Sequence, residues 1–226
     1  MEPLRCGDRV LPLGSRTYVM GILNVTDDSF SGDGLLGQIG AAVERGRRFV
    51  AAGAAILDVG GESARADVRA LAADEEIARV VPVIEQLSRD VDAVISIDSY
   101  KEPVVEAAVQ AGARLINDIG GFKLDTGTAR VAARFGVPLV INFTYERPKI
   151  RPAEPPQYTD LIGAHLEFFQ ERIDTAVALG VQRTQLVLDP GIAFGKSHDE
   201  DLTVLRRLGE FRTLGLPLLV AASRKH

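Results

Sequence analysis

The feature that most constrains this chain is an alternation of short apolar runs with longer stretches that have helical spacing. The runs fall at residues 18–25, 55–59, 93–97, 114–117, 138–142, 185–188 and 217–221, and each is rich in Val, Ile or Leu. Strands covered on both faces read this way, because neither side meets water. The intervening stretches lie near residues 39–52, 74–87, 104–111, 127–135, 158–179 and 199–208. In the first, Ile39, Ala42, Val43, Gly46, Phe49 and Val50 recur at helical spacing, with Gly46 a poor helix former among them. Gly53, Gly112 and Gly180 stand where a helix stops before the next strand, a position that favours glycine. Asp199, Glu200 and Asp201 sit where a helix N-terminus favours negative charge.

Strand and helix in strict alternation predict a parallel sheet. Two architectures accommodate that, a closed eight-fold barrel and an open doubly wound sheet. A barrel normally takes about 250 residues and eight units, whereas this chain has 226 residues and seven strand candidates. Ahead of the first strand, residues 9–13 and 15–18 are expected to form a small hairpin turning near Gly14, which would plug the bottom of a barrel. No internal repeat, low-complexity tract or domain linker interrupts the pattern, so residues 1–226 read as one domain.

Composition narrows the function classes. A core of this size closes without disulfides or a structural metal. The single cysteine, Cys6, cannot form an internal disulfide, which fits a reducing cytoplasm and an inert thiol. Charged residues break up the first thirteen positions, so they do not read as a signal peptide. No segment approaches the length that spans a bilayer. A net charge of −5 argues against a nucleic-acid surface, but not against a local basic cluster for an anionic small substrate.

The polar residues gather at one end of the strands. The strand ends carry Asn24, Thr26, Asp27 and Asp28; Asp58 with Glu62 and Ser63; Ser96 and Asp98; Asn117 and Asp118; Asn142 and Thr144; Asp189; and Ser223, Arg224 and Lys225. In parallel β/α folds these ends line one mouth, where active sites sit. Asp98, Asn117 and Asp189 come from three strands and are expected to converge on a flat heterocycle with amidine-like N–H groups. Arg65, Arg224 and Lys225 are candidates for an anionic group, Arg65 by bidentate clamping. The glycines after the first strand mark a long loop of the kind that covers active sites. No phosphate-binding glycine loop, zinc motif or nucleophile elbow is present.

Six ordered segments resemble the dihydropteroate synthase family. They are Met20-Gly21-Ile22-Leu23-Asn24-Val25-Thr26-Asp27-Asp28-Ser29-Phe30-Ser31; Asp58-Val59-Gly60-Gly61-Glu62-Ser63-Ala64-Arg65; Ser96-Ile97-Asp98-Ser99-Tyr100-Lys101; Ile116-Asn117-Asp118; Leu188-Asp189-Pro190-Gly191-Ile192-Ala193-Phe194-Gly195-Lys196; and Ser223-Arg224-Lys225. The resemblance implies a TIM-type (β/α)8 barrel, of which about seven units are present. It implies condensation of 6-hydroxymethyl-7,8-dihydropterin pyrophosphate with p-aminobenzoate in folate biosynthesis. By the same resemblance Asp98, Asn117, Asp189 and Lys225 hold the pterin, and Asn24 contacts Mg²⁺ on the pyrophosphate. Ser63 and Arg65 meet the phosphates or the aminobenzoate, and Phe194 borders the pocket. Asp98, Lys225 and Arg65 are then the catalytic set. The resemblance further suggests a homodimer, while cysteine usage, net charge and segment length lead to the expectation of a cytoplasmic protein that binds neither nucleic acid nor membrane.

The chain also departs from the family pattern. Asp27 stands for a usual proline, Ala64 for a usual threonine, and Ala66-Asp67 for Pro-Gly. Ile141-Asn142-Phe143 replaces a Met-His-Met-like run. The family pattern continues beyond His226 with a further helix, strand and helix, so the C-terminal unit is expected to be missing. Two other readings compete: a non-catalytic pterin-binding paralogue and a pterin-dependent methyltransferase domain. Arg65 and the Ser-Arg-Lys ending favour the synthase, because methyl transfer has no pyrophosphate to hold.

Overall fold

The computed structural model describes residues 2–26, 34–62, 70–123, 125–144 and 156–222, with residues 34–38 described by backbone alone. Two short strands come first, β1 (Leu4–Cys6) and β2 (Arg9–Leu11), followed by six that alternate with helices. These are β3 (Met20–Asn24), α1 (Gly34–Ala51), β4 (Ile56–Gly60), α2 (Ala73–Asp90), β5 (Val94–Asp98), α3 (Glu102–Ala111) and β6 (Leu115–Asp118). The chain goes on through α4 (Gly127–Phe135), β7 (Leu139–Asn142), α5 (Leu161–Ala178), β8 (Leu186–Asp189) and α6 (His198–Arg206). A 3₁₀ segment, Leu208–Leu214, follows.

The six strands are parallel and ordered β3-β4-β5-β6-β7-β8. A doubly wound sheet reverses its strand order at a switch point. Here each strand lies beside its predecessor throughout, as in the winding of a β/α barrel. Of the two architectures the sequence allows, this order selects the TIM-type one.

The expected hairpin exists but one turn earlier. It pairs β1 with β2, Cys6 opposite Arg9, around Gly7 at φ +68°. A two-residue turn needs such left-handed backbone, and Gly7-Asp8 supplies it, whereas residues 12–19 run without strand pairing to β3. Leu4, Cys6 and Leu11 pack beneath the sheet on Ile56, Val94, Leu115, Val140 and Val187. Burial pushes the Cys6 thiol up to about 12, so it stays protonated, as the sequence implied. The seventh run, 217–221, is narrower than expected: Leu218 makes a single parallel bridge to Leu188. Leu188 N–H donates to Pro217 O at 2.9 Å and Leu219 N–H to Leu188 O at 2.8 Å. No helix among the described residues is long and apolar enough to cross a membrane.

Alternation along each strand divides two layers. Leu57 and Val59, Ile95 and Ile97, Ile116, Leu139 and Ile141, and Leu186 and Leu188 face the helices and join the larger core. The opposite parity begins apolar on the hairpin side and ends polar. The sequences are Ile56 then Asp58, Val94 then Ser96 and Asp98, Leu115 then Asn117, Val140 then Asn142, and Val187 then Asp189. The floor thus packs as a core while the opposite end stays polar.

Behind β7 and β8 the His165 ring stacks on Phe143 with centroids 3.6 Å apart. Nδ1 lies 2.7 Å from Leu161 O and Nε2 3.3 Å from Pro190 O. Burial, with the charge of Lys196, outweighs these carbonyls and lowers the imidazole to about 4. The neutral ring therefore donates through one nitrogen only. Because its folded value lies below its unfolded one, this group's contribution to stability is lost as pH falls from about 6.5 toward 4. NMR of the ring Cε1–H is expected to show no titration above about pH 5, and His165→Gln is expected to flatten the acid-side fall in stability. Titration of that ring near pH 6.5 would contradict its burial.

Candidate active site

The polar side chains of the six strands meet at the C-terminal end of the sheet. Asn24, Gly60, Asp98 and Asn117 lie at one level, because Asn24 pairs Gly60, Gly60 pairs Asp98, and Asp98 pairs Asn117 across consecutive strands. Asn142 pairs Asp189 on the far side. Gly60 matters here: a Cβ at that position would sit 3.4 Å from the Asp98 carboxylate. A side chain there would rest against Asp98 at ordinary contact distance, so Gly60 and Asp98 share the inward face of neighbouring strands.

Asp58 lies deepest and is 3% exposed. It accepts a 2.8 Å hydrogen bond from Asn117 Nδ2. Burial raises its carboxyl above the ordinary range, and the hydrogen bond from Asn117 offsets only part of that. Asn142 Nδ2 donates to Ile119 O at 3.0 Å and to Phe143 O at 3.1 Å. Asp189 Oδ1 accepts Gly191 N–H at 2.8 Å. Among the described residues, Oδ1 of Asn117 and Oδ1 of Asn142 are buried and have no hydrogen-bond partner. Buried acceptors of that kind cost free energy unless something donates to them. Both stand on the inward face of their strands, where a ligand's N–H groups would reach.

The structure sets Asp98 opposite Asn117 and puts Asp189 opposite Asn142 at the same end of the sheet, with Asn24 exposed at the rim. Phe194 is half-buried on the loop after β8. Ser63, Arg65 and Lys225 lie outside the described residues. The sequence reading named Asp58 and Asn142 as polar strand ends but did not place them in the cluster. Inward parity was the signal, since each lies two residues beyond a floor residue, Ile56 and Val140.

Two lysines that the sequence reading did not single out as functional brace this mouth. Lys101 Nζ lies 2.6 Å from Glu62 Oε2, 2.6 Å from Glu76 Oε2 and 2.9 Å from Leu71 O. Tyr100 donates to Glu62 Oε1 at 3.0 Å, and Leu71 N–H to Glu62 Oε2 at 2.7 Å. Burial alone would raise the Glu62 carboxyl, but these hydrogen bonds bring it below its ordinary value. Lys196 braces the opposite loop. Among the described residues no cluster of three or more His, Cys, Asp or Glu could cage a metal ion.

Carboxylates and carboxamides on five neighbouring parallel strands, over an apolar floor, define a β/α-barrel enzyme whose mouth takes a flat ligand with a hydrogen-bonding edge. Residues 20–226 match the Pterin binding enzyme family. The dihydropteroate synthase of Clostridium beijerinckii is 40% identical over 98% of this chain and 80% of its own length. That of Bacillus subtilis is 42% identical over 93% of this chain and 71% of its own. Solved structures agree. The Yersinia pestis dihydropteroate synthase with a sulfonamide drug complex superposes with a TM-score of 0.91 at 39% identity, covering 99% of this chain and 80% of that one. The Xanthomonas albilineans enzyme in complex with 7,8-dihydropteroate gives 0.87 at 38% identity, over 99% and 79%. This chain belongs to the dihydropteroate synthase family of pterin binding enzymes.

Proposed function

We propose that this chain is a transferase that joins 6-hydroxymethyl-7,8-dihydropterin pyrophosphate to p-aminobenzoate, giving 7,8-dihydropteroate and pyrophosphate in folate biosynthesis. The observation that carries the reading is the polar cluster of Asp58, Asp98, Asn117, Asn142 and Asp189 in a chain of this family. A pterin presents a ring N–H, an amino group and a carbonyl along one edge. Anionic and amide oxygens on facing strands match the donors, and amide N–H groups match the carbonyl. Asp98, Asn117 and Asp189 hold that edge together with Lys225, and Asp58 and Asn142 extend the set.

In the reaction the aminobenzoate nitrogen attacks the exocyclic methylene carbon. A C–N bond forms, the C–O bond to pyrophosphate breaks, and the amine gives up a proton. The protein's part is orientation and charge stabilisation rather than covalent catalysis. Arg65 and Ser63 meet the phosphates or the aminobenzoate, and Phe194 borders the pocket. Asn24, exposed at the rim, offers a single amide oxygen. Mg²⁺ binds well with one or two protein oxygens when phosphates and waters supply the rest. That donor set fits a metal carried in on the pyrophosphate, where it would neutralise leaving-group charge. On the same reading residues 1–226 act as one pterin-binding barrel domain, in the cytoplasm and as a homodimer.

The test is direct. The chain mixed with the pterin pyrophosphate, p-aminobenzoate and Mg²⁺ is expected to form 7,8-dihydropteroate, detected by chromatography. Pterin binding without product would convert the reading to a non-catalytic pterin binder.

A further inference from the structure

We infer that Asp58 is a positioning residue for the pterin site, acting through Asn117: it holds that amide by its nitrogen and leaves the oxygen for the ligand. The inference rests on the proposed synthase reading and deepens it, since Asp58 then serves the pterin without touching it.

Register sets the geometry. Asp58 on β4 is level with Ser96 on β5, and Ser96 is level with Leu115 on β6. Asn117 stands two residues beyond Leu115, level with Asp98. The carboxyl therefore lies one layer below the amide, and β5 runs between their strands. The 2.8 Å hydrogen bond from Asn117 Nδ2 to Asp58 Oδ2 spans β5 obliquely. Ser96, fully buried at the crossing, is small enough to leave room for it. A ring resting at the level of Asp98 and Asn117 meets the amide before it meets Asp58.

The two ends of an asparagine amide are nearly equal in size, so packing alone does not choose which faces a ligand. A hydrogen-bond partner has to choose. A carboxylate oxygen only accepts, so Asp58 takes the nitrogen end. Turning the amide over would set oxygen against oxygen and remove the hydrogen bond that offsets the burial of this carboxyl. Asn117 Oδ1 is buried and has no hydrogen-bond partner among the described residues. It is the end left over to accept a ring N–H.

Stability does not account for Asp58. Its Oδ1 and the Ser96 Oγ are also buried without a partner among the described residues, and unmet buried polar atoms cost free energy. Apolar side chains at this layer would continue the floor that Ile56 and Val94 begin. What the carboxyl supplies instead is the orientation of Asn117.

Calorimetry with 6-hydroxymethyl-7,8-dihydropterin tests this on the wild type, Asp58→Leu, Asp58→Asn, Asn117→Ala and the double variant Asp58→Leu/Asn117→Ala. Folding is checked by circular dichroism and thermal midpoint. Asp58→Leu is expected to weaken binding about tenfold, by freeing the amide to turn. Asp58→Asn is expected to stay within about threefold of wild type, because its amide oxygen still accepts from Asn117. In the Asn117→Ala background, adding Asp58→Leu should cost less than about twofold, since no amide remains to be held. A direct contact between Asp58 and the pterin would cost the same in both backgrounds and overturn the inference. A merely structural role would lower the thermal midpoint and leave the affinity of the folded fraction alone, which would overturn it too. If Asn117→Ala binds too weakly to measure, the conservative variant decides: a loss in Asp58→Asn as large as in Asp58→Leu rejects the positioning role. Should Asp58→Leu not fold, Asp58→Ala takes its place in the cycle. Failure of the wild type to bind the pterin would reject the site reading itself, whereas binding with additive losses rejects only the role of Asp58.

Discussion

Asp98→Ala is expected to weaken pterin binding by about a hundredfold or more, from roughly 3 kcal/mol of lost interaction. The carboxylate ends β5, in register with Gly60 on one side and Asn117 on the other. It has inward parity on β5, two residues beyond Ser96. A ring N–H buried against alanine would lose its charged acceptor and keep its desolvation cost, which is why truncation there outweighs a typical hydrogen bond. The protein itself should not suffer. Asp98 stands at the end of β5, so truncating its side chain leaves the backbone ladder to β4 and β6 intact. The thermal midpoint should hold or rise, as is common when a functional residue is replaced. Calorimetry with the pterin measures the first effect and thermal unfolding the second. Unchanged affinity would remove Asp98 from the pocket.

Lys101→Met is expected to act in the opposite sense, on the fold. Its ammonium stands between Glu62 and Glu76, whose side chains are 7% and 1% exposed. Deleting the cation leaves two buried carboxylates facing one another, a change that costs about 3–5 kcal/mol. In a chain of this length that corresponds to a fall of roughly 10 °C in thermal midpoint. Glu76→Gln should cost much less, since Lys101 keeps Glu62. Lys101 also joins Glu62, at the end of β4, to Leu71, just before α2, so its loss should loosen that side of the mouth. A fall of less than about 3 °C would show that water reaches the triad and screens it.

Much of this was written in local sequence. Six of the seven apolar runs became strands within a few residues, because a strand buried on both faces must be apolar almost without interruption. The stops at Gly53, Gly112 and Gly180 all have positive φ, as helix ends before strands require. Asp98, Asn117 and Asp189 were visible as polar residues ending such runs. The hairpin was misplaced because Gly14 and Gly7 offer equal local turn chemistry. Only Gly7 lets Leu4, Cys6 and Leu11 cover the floor together.

The sequence by itself determined the alternation of strand and helix, and that polarity gathers at the strands' C-terminal ends. Both follow from periodicity, which is a local property of the chain. Tertiary structure decided the rest. The strand order chose a barrel over a doubly wound sheet, and register set Asp58 against Asn117 and Asn142 beside Asp189. Packing turned Glu76 and Asp201, by sequence ordinary acids at helix starts, inward onto Lys101 and Lys196. Those pairings join residues 25 and 5 positions apart in sequence. What fixes them is the cost of an unpaired buried charge, which exists only once the chain has closed around it.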